Sequence, residues 1–284
     1  MGRLRCFNWC AEPYVPSRRF TVPRPANASV PKKIKTWLRL LVPPQLPGRK
    51  PPVNYAADSL KIEMNRSFAR AAAARLAAST DKLYVVYLES ECCLTTQTLL
   101  ENGVPAAQLI PVSRERNACA AIRKQYADVW PIEGLISDVL NYLAANKTRV
   151  GAIWLDYMCT VFGALKDGDN VPINDIRKSL RLLAASSPPG TAVPFVVTVS
   201  NNRGRNRTDF VHKLLAAQKL SHLMPTQKSP LPASDVVLDA VLRAFAAETM
   251  FCIARLTIEY YNSQHGSHMW HAVCELNYKK LKNN

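Results

Sequence analysis

The sequence predicts an α/β fold: a doubly wound, mostly parallel sheet with a C-terminal antiparallel β-hairpin and helices on both faces. Three features predict it. From residue 58 onward, short β-branched apolar runs alternate with amphipathic stretches, the pattern of parallel strands joined by crossover helices. The runs are apolar almost throughout, as strands buried on both faces must be. The last two runs break the alternation and face each other across a short polar link, as in a long hairpin.

Asp58-Ser59 can cap a first helix reaching about Ala78, with Leu60, Met64, Phe68, Ala71 and Leu76 as its apolar positions. Residues 82–89 (KLYVVYLE) form the first strand. A helix over residues 94–102 follows, with Thr95 or Thr96 near its start and Gly103 as a C-cap. Residues 108–112 (QLIPV) are a strand, residues 117–126 a helix, and residues 127–131 are expected to hold a short third strand before a helix over 134–145. Residues 150–155 (VGAIWL) make the fourth strand, ending at Asp156, and residues 173–185 an amphipathic helix that Ser187-Pro188-Pro189-Gly190 stops. Residues 192–200 (AVPFVVTVS) are the fifth strand. Helices over 208–220 and 234–247 precede the hairpin strands, 251–261 and 269–278.

Charge divides the chain in two. Of 284 residues, 37 are Lys or Arg and 21 are Asp or Glu, a formal charge of +16. Residues 1–57 carry 11 of those basic side chains, a single acid (Glu12) and 10 of the 20 prolines. Proline fixes φ and has no amide to donate, so this segment is expected to be an extended basic arm, with at most one short helix over residues 32–42. An Arg-rich, acid-poor, proline-bearing arm fits an organelle transit peptide. It equally fits a polycation laid across nucleic-acid phosphates or a large assembly. Residues 58–284 are expected to form one domain of only mild basicity.

Several classes are excluded. No apolar run approaches the about 18 residues of a transmembrane helix. There is no G-x-G-x-x-G and no G-x4-G-K-[ST], which counts against nicotinamide enzymes and phosphate-cradling NTPases. None of the eight cysteines makes a C-x-x-C pair at zinc spacing, and thiols in apolar runs such as Phe251-Cys252-Ile253 are expected to be reduced and buried. The compartment is expected to be intracellular, the mitochondrion ahead of the nucleus. His265, His268 and His271 lack an acid at ligand spacing, so exposed imidazoles in and beside a turn are expected rather than a metal centre.

In doubly wound sheets ligands sit beyond the carboxyl ends of the strands, so the residues just after each strand are the candidates. After the first strand stand Glu89, Glu91, Thr95 and Thr96: carboxylates for hydroxyl or ammonium groups, then the free amides of a helix start. After the fourth come Asp156, a carboxylate costly to bury alone, and Tyr157, whose ring can stack on a flat ligand. Cys159 could serve as a nucleophile only with a base that the sequence does not show. After the fifth come Arg203, Arg205 and Arg207, whose guanidinium forks match phosphates.

This order of elements, over about residues 58–280, resembles the class I methyltransferase superfamily, in which a doubly wound sheet ends in an antiparallel hairpin. The resemblance implies S-adenosylmethionine as cofactor, with Glu89, Glu91, Thr95 and Thr96 in the cofactor loop and Asp156 and Tyr157 where acceptor and transferred methyl meet. Two departures accompany it. The usual acidic-Gly-x-Gly loop is Glu89-Ser-Glu-Cys-Cys, without glycine, and the second strand ends in Val112-Ser113-Arg114 where a ribose-binding acid is usual, with Glu115 nearby. The expectation is an S-adenosylmethionine-dependent methyltransferase-like protein acting on or bound to nucleic acid, RNA ahead of DNA. The alternative is a catalytically degenerate subunit of a ribonucleoprotein or organelle assembly, and a weaker third is a small-molecule enzyme on a similar sheet.

Overall fold

A computed structural model describes residues 59–157, 165, 166, 169–200, 216, 234–262 and 268–278. The arm over 1–57, Cys159, the arginine run Arg203, Arg205 and Arg207, and the helix expected over 208–220, of which Ala216 alone is described, lie outside these residues.

Helix α1 (Ser59–Ala77) buries Met64, Phe68, Ala69, Ala72 and Leu76 and exposes Glu63, Arg66 and Arg70. Ala71, expected on the apolar face, is exposed, because a period of 3.6 carries the stripe from Phe68 to Ala72 instead. Lys61 and Asn65 continue the same stripe toward the helix start and are buried.

Strands β1 (Tyr84–Leu88), β2 (Leu109–Ser113), β3 (Ile132–Glu133), β4 (Val150–Asp156) and β5 (Ala192–Ser200) are parallel. Strand β7 (His268–Tyr278) runs antiparallel to both β5 and β6 (Phe251–Asn262). The order across the sheet is β3-β2-β1-β4-β5-β7-β6. β3 lies just beyond the expected window of 127–131: Pro131 has no amide for the ladder, so pairing begins at Ile132, opposite Val112. A two-residue ladder, Leu165–Lys166 with Asp169–Asn170, stands apart from the main sheet.

Helices α2 (Leu94–Glu101) and α3 (Arg116–Gln125) join α1 on one face; α4 (Ile136–Ala145), α5 (Val171–Ser186) and α6 (Ser234–Glu248) cover the other. Alternation along each strand sorts the core accordingly. Val85, Tyr87, Ala152, Trp154 and Val196 pack under α1 and α2, whereas Val86, Ile153, Leu155, Phe195 and Val197 pack under α4, α5 and α6. Among the described residues no helix is long and apolar enough to cross a membrane.

Gly151 shows how closely α1 lies on this sheet. A β-carbon there would stand 2.9 Å from Leu76 Cδ1 and 3.1 Å from Leu83 Cβ. Gly151→Ala is therefore expected to destabilise by about 1–3 kcal/mol, the usual cost of overpacking. A fall in the thermal midpoint, relieved by a second change Leu76→Val, would check it.

Candidate functional site at the carboxyl edge

The chain runs outward from β1 through β2 to β3, then returns to β4 on the other side of β1, so the carboxyl ends of β1 and β4 flank the switch point of the sheet. Glu89 stands one residue beyond β1 and is 9% exposed. Its Oε2 accepts from the Thr96 amide at 2.7 Å and the Thr96 hydroxyl at 2.8 Å, and its Oε1 from the Ser90 amide at 3.0 Å. Thr96 Oγ1 also lies 2.9 Å from the Tyr87 hydroxyl. Burial pushes the Glu89 carboxyl up to about 7, against the pull of those donors and of Lys61. Glu89 thus ties the end of β1 to the first turn of α2.

The glycine-free loop keeps a glycine-like path. Cys93 caps α2 in the left-handed region at φ 53, where glycine is ordinarily favoured. Its side chain is fully buried, with Sγ 3.5 Å from the Glu91 carbonyl, so the thiol is sunk into the core and does not fill the outer side of the loop. Burial raises that thiol to about 12, which makes it a poor nucleophile. Neither Leu94 nor Thr95 has a protein acceptor for its amide among the described residues. Glu91 is half-buried at the rim and Thr95 buried in the first turn. Glu115 stands at the start of α3, its amide 3.2 Å from Ser113 Oγ, two residues beyond the β2 end.

A second polar set crosses β4, β5 and β7. Register places Asp156 opposite Thr198 and Thr198 opposite His271, one row on the α1 face. From α1, Lys61 Nζ reaches Asp156 Oδ2 at 2.7 Å, with side chains only 11% and 16% exposed. Asn65, one turn on, donates from Nδ2 to the Lys61 carbonyl at 2.9 Å. Phe68, three residues further, meets the Trp154 ring edge-on at 5.2 Å. Trp154 Nε1 donates to Thr198 Oγ1 at 3.2 Å, and Thr198 Oγ1 lies 2.9 Å from His271 Nδ1. His271 is 1% exposed, and burial lowers it to about 4, with Asp156 raising and Lys61 lowering it further. The expectation of exposed imidazoles is corrected here: His271 lies inside strand β7, on its inner face, and His268 opens that strand, while His265 is outside the described residues.

Three atoms of this set are buried without a hydrogen-bond partner among the described residues: Asn65 Oδ1, Asp156 Oδ1 and His271 Nε2. Each such group costs about 1–3 kcal/mol if nothing meets it. Tyr157 points to the opposite face, buried among α4 and α5 side chains, with its hydroxyl donating at 2.7 Å to the fully buried Asp175. Burial raises the Asp175 carboxyl to about 6 against that hydrogen bond. Cys252, expected to be buried, is exposed on the outermost strand, 3.3 Å from the Asn277 carbonyl. No group of three metal-ligating side chains occurs among the described residues.

The structure places Glu89, Thr95, Thr96 and Asp156 at the carboxyl edge, where strand-end counting puts them, and sets beside Asp156 three side chains that counting does not name there, Lys61, Asn65 and His271. A signal for two of them existed: Lys61 and Asn65 fall on the stripe of Phe68, Ala72 and Leu76, so a helix pattern places them inward.

No family model and no curated protein matches the chain. Among solved structures it is similar to the O-methyltransferase from Bacillus cereus in complex with SAH, at 11% identity and TM-score 0.44, covering 78% of this chain and 84% of that one. A protein from Pyrococcus horikoshii proposed as an RNA methyltransferase has 11% identity and TM-score 0.44, with 84% and 94% covered. Cofactor-bound Rv0187 from MTB has 13% identity and TM-score 0.43, with 80% and 84% covered. The fold is identified by the sheet itself: five parallel strands wound outward from β1 on both sides, then a reversed β7 inserted between β5 and β6. That order and that single reversal make a doubly wound α/β sheet ending in an antiparallel hairpin, the fold that the sequence predicts.

Proposed function

We propose that this chain is an S-adenosylmethionine-dependent methyltransferase whose acceptor is nucleic acid, RNA in the first instance. The observation that carries the reading is the trio of buried, unpartnered polar atoms on Asp156, Asn65 and His271 at the switch-point edge, next to a helix start whose Leu94 and Thr95 amides have no acceptor among the described residues. The residues present suit such a cofactor: Cys93 turns its side chain into the core, which leaves the loop backbone free, and Glu91, Thr95 and the α2 amides offer polar partners. Bound there, the cofactor supplies a methyl group on a sulfonium, and the protein's task is alignment and exclusion of water.

The roles divide by position. Glu89 and Thr96 shape the loop through their mutual hydrogen bonds, while Glu91 and Thr95 would meet the cofactor. Asp156, held by Lys61, presents its free oxygen toward the acceptor. Tyr157 fixes the end of β4 from the far face through Asp175. Arg203, Arg205 and Arg207 follow the carboxyl end of β5, and with the basic arm they would hold phosphates, a contact weakened by salt.

Titrating the full chain with labelled S-adenosylmethionine tests the reading. Saturable binding is expected, with Asp156→Asn retaining it but losing transfer to RNA by at least about 100-fold, the scale of one positioned polar group. A folded chain with no binding at millimolar cofactor would refute it.

A second reading is a subunit that keeps the fold without the reaction. Glu91 and Cys93 in a loop that usually carries glycines favour it, as does the +10 carried by the arm. Deleting residues 1–57 would then abolish incorporation into a ribonucleoprotein or organelle particle and leave the folded body intact.

A further inference from the structure

The two ends of the sheet are unlike. At one end β3 is 2 residues long, whereas β6 at the other runs for 12. β6 is hydrogen-bonded to β7 on one side, and no described strand lies on its other side. Alternate residues of β6 therefore direct their N–H and C=O away from the ladder, as a template for a further strand.

Folded proteins commonly blunt such an edge with charge, but the charges on β6 are arranged to attract. Arg255, Thr257 and Glu259 lie on one face, opposite Glu275, Val273 and His271 of β7. Arg255 is exposed and Glu259 half-buried, and neither forms an ion pair with another described residue. Charges of one sign would repel a like strand. Opposite charges equidistant from Thr257 instead make the edge complementary to itself. With a second β6 laid antiparallel and Thr257 facing Thr257, each Arg255 stands opposite the Glu259 of the other copy.

No other register does this. A shift of two residues, the smallest that keeps the faces matched, sets Arg255 opposite Thr257 or Tyr261. A shift of four sets Arg255 against Arg255 or Glu259 against Glu259. On the other face Leu256 and Ile258 are half-buried against the core under α4, α5 and α6. In the Thr257-centred register Leu256 of each copy meets Ile258 of the other, so pairing covers apolar surface there too. The bulge between Ile253 and Arg255 bends the strand just before this matched segment and confines flat pairing to the residues beyond it.

We propose that β6 is a dimerisation edge, at which two copies of this chain pair antiparallel about a two-fold axis at Thr257 and join their sheets into one. The axis stands perpendicular to the sheet, so α4, α5 and α6 of both copies fall on the same side and the parallel strands of the two copies run in opposite directions. Each candidate site stays complete within its own copy, and the pairing is independent of the proposed reaction. The far edge, β3, is too short to extend the sheet further, so the assembly closes at two.

Sedimentation of the full chain between about 1 and 100 µM tests it, the range in which a small interface associates. A monomer–dimer equilibrium is expected. Arg255→Glu and Glu259→Arg each set like charges opposite one another twice per dimer and should weaken association at least about tenfold. Combining the two substitutions exchanges the signs, restores the attraction and should recover the dimer, which a merely misfolded variant would not do. In a Cys252→Ser background, Thr257→Cys should give a disulfide-linked dimer under air oxidation, since only residues at the axis come within the about 7 Å that a disulfide spans between α-carbons. A folded chain that stays monomeric at about 100 µM overturns the proposal. So does a dimer that is indifferent to both single substitutions, does not return in the double variant, or forms no link through position 257.

Discussion

Replacing Glu89 with alanine is expected to destabilise the domain by about 2–4 kcal/mol near pH 5, because the buried Thr96 amide and the Ser90 amide both lose their acceptor. The loss should shrink as pH rises. In the folded state the carboxyl is raised from its ordinary 4.5 to about 7, so it binds its proton more tightly there than in the unfolded chain. Its contribution is fully present below pH 4.5 and fades as pH climbs to 7, a change of about 3 kcal/mol. Glu89→Gln separates the two effects. Its carbonyl oxygen can take the Thr96 amide and hydroxyl, its amide group then opposes the Ser90 amide, and it does not titrate. Chemical denaturation at pH 5 and pH 8 should show the wild type losing stability over this interval more steeply than Glu89→Gln. Parallel profiles would mean that the carboxylate is far better solvated than its burial implies.

His271→Phe is expected to act in the opposite sense. The folded state lowers this imidazole from its ordinary 6.5 to about 4, chiefly by burial, with Lys61 adding to the effect and Asp156 opposing it. The unfolded chain therefore binds the proton more tightly, and stability from the neutral ring is present above pH 6.5 and is lost as pH falls toward 4. The size is again about 3 kcal/mol. Phenylalanine keeps a ring against Trp154, removes the unpartnered Nε2 and cannot charge. At pH 7 it should cost little, roughly the 0.5–1.5 kcal/mol of the lost Thr198 contact. At pH 4.5 it should be more stable than the wild type. Absence of that crossover in denaturation midpoints would place His271 in a wetter setting than a 1% exposed ring occupies. Glu89 and His271 thus offset each other between about pH 4.5 and 6.5, and each variant exposes the slope that the other masks.

The fold was largely legible because it is written in short-range patterns. β4 and β5 are apolar in almost every position, which only a sheet covered on both faces permits, and the hairpin is announced by two apolar runs with a short polar link between them. β3 was displaced because two residues carry no period, and only pairing with Val112 and Ser113 marks its place. The positions of Glu89 and Asp156 at the carboxyl edge are legible because a strand end is a place that sequence can count to. His271 was misplaced because its burial depends on insertion of β7 between β5 and β6, a long-range event that no local spacing encodes.

Sequence by itself determined the alternation of strands and helices, the reversed hairpin, the segregation of charge into residues 1–57, and the carboxylates at the ends of β1 and β4. Tertiary structure alone decided what those carboxylates do. Glu89 is turned into the first turn of α2, and Asp156 is met by Lys61 from a helix 95 positions earlier in the chain. The reason is physical: a buried charge or polar atom is defined by its partners, and here those partners come from α1, β4, β5 and β7, brought together only when the sheet is assembled.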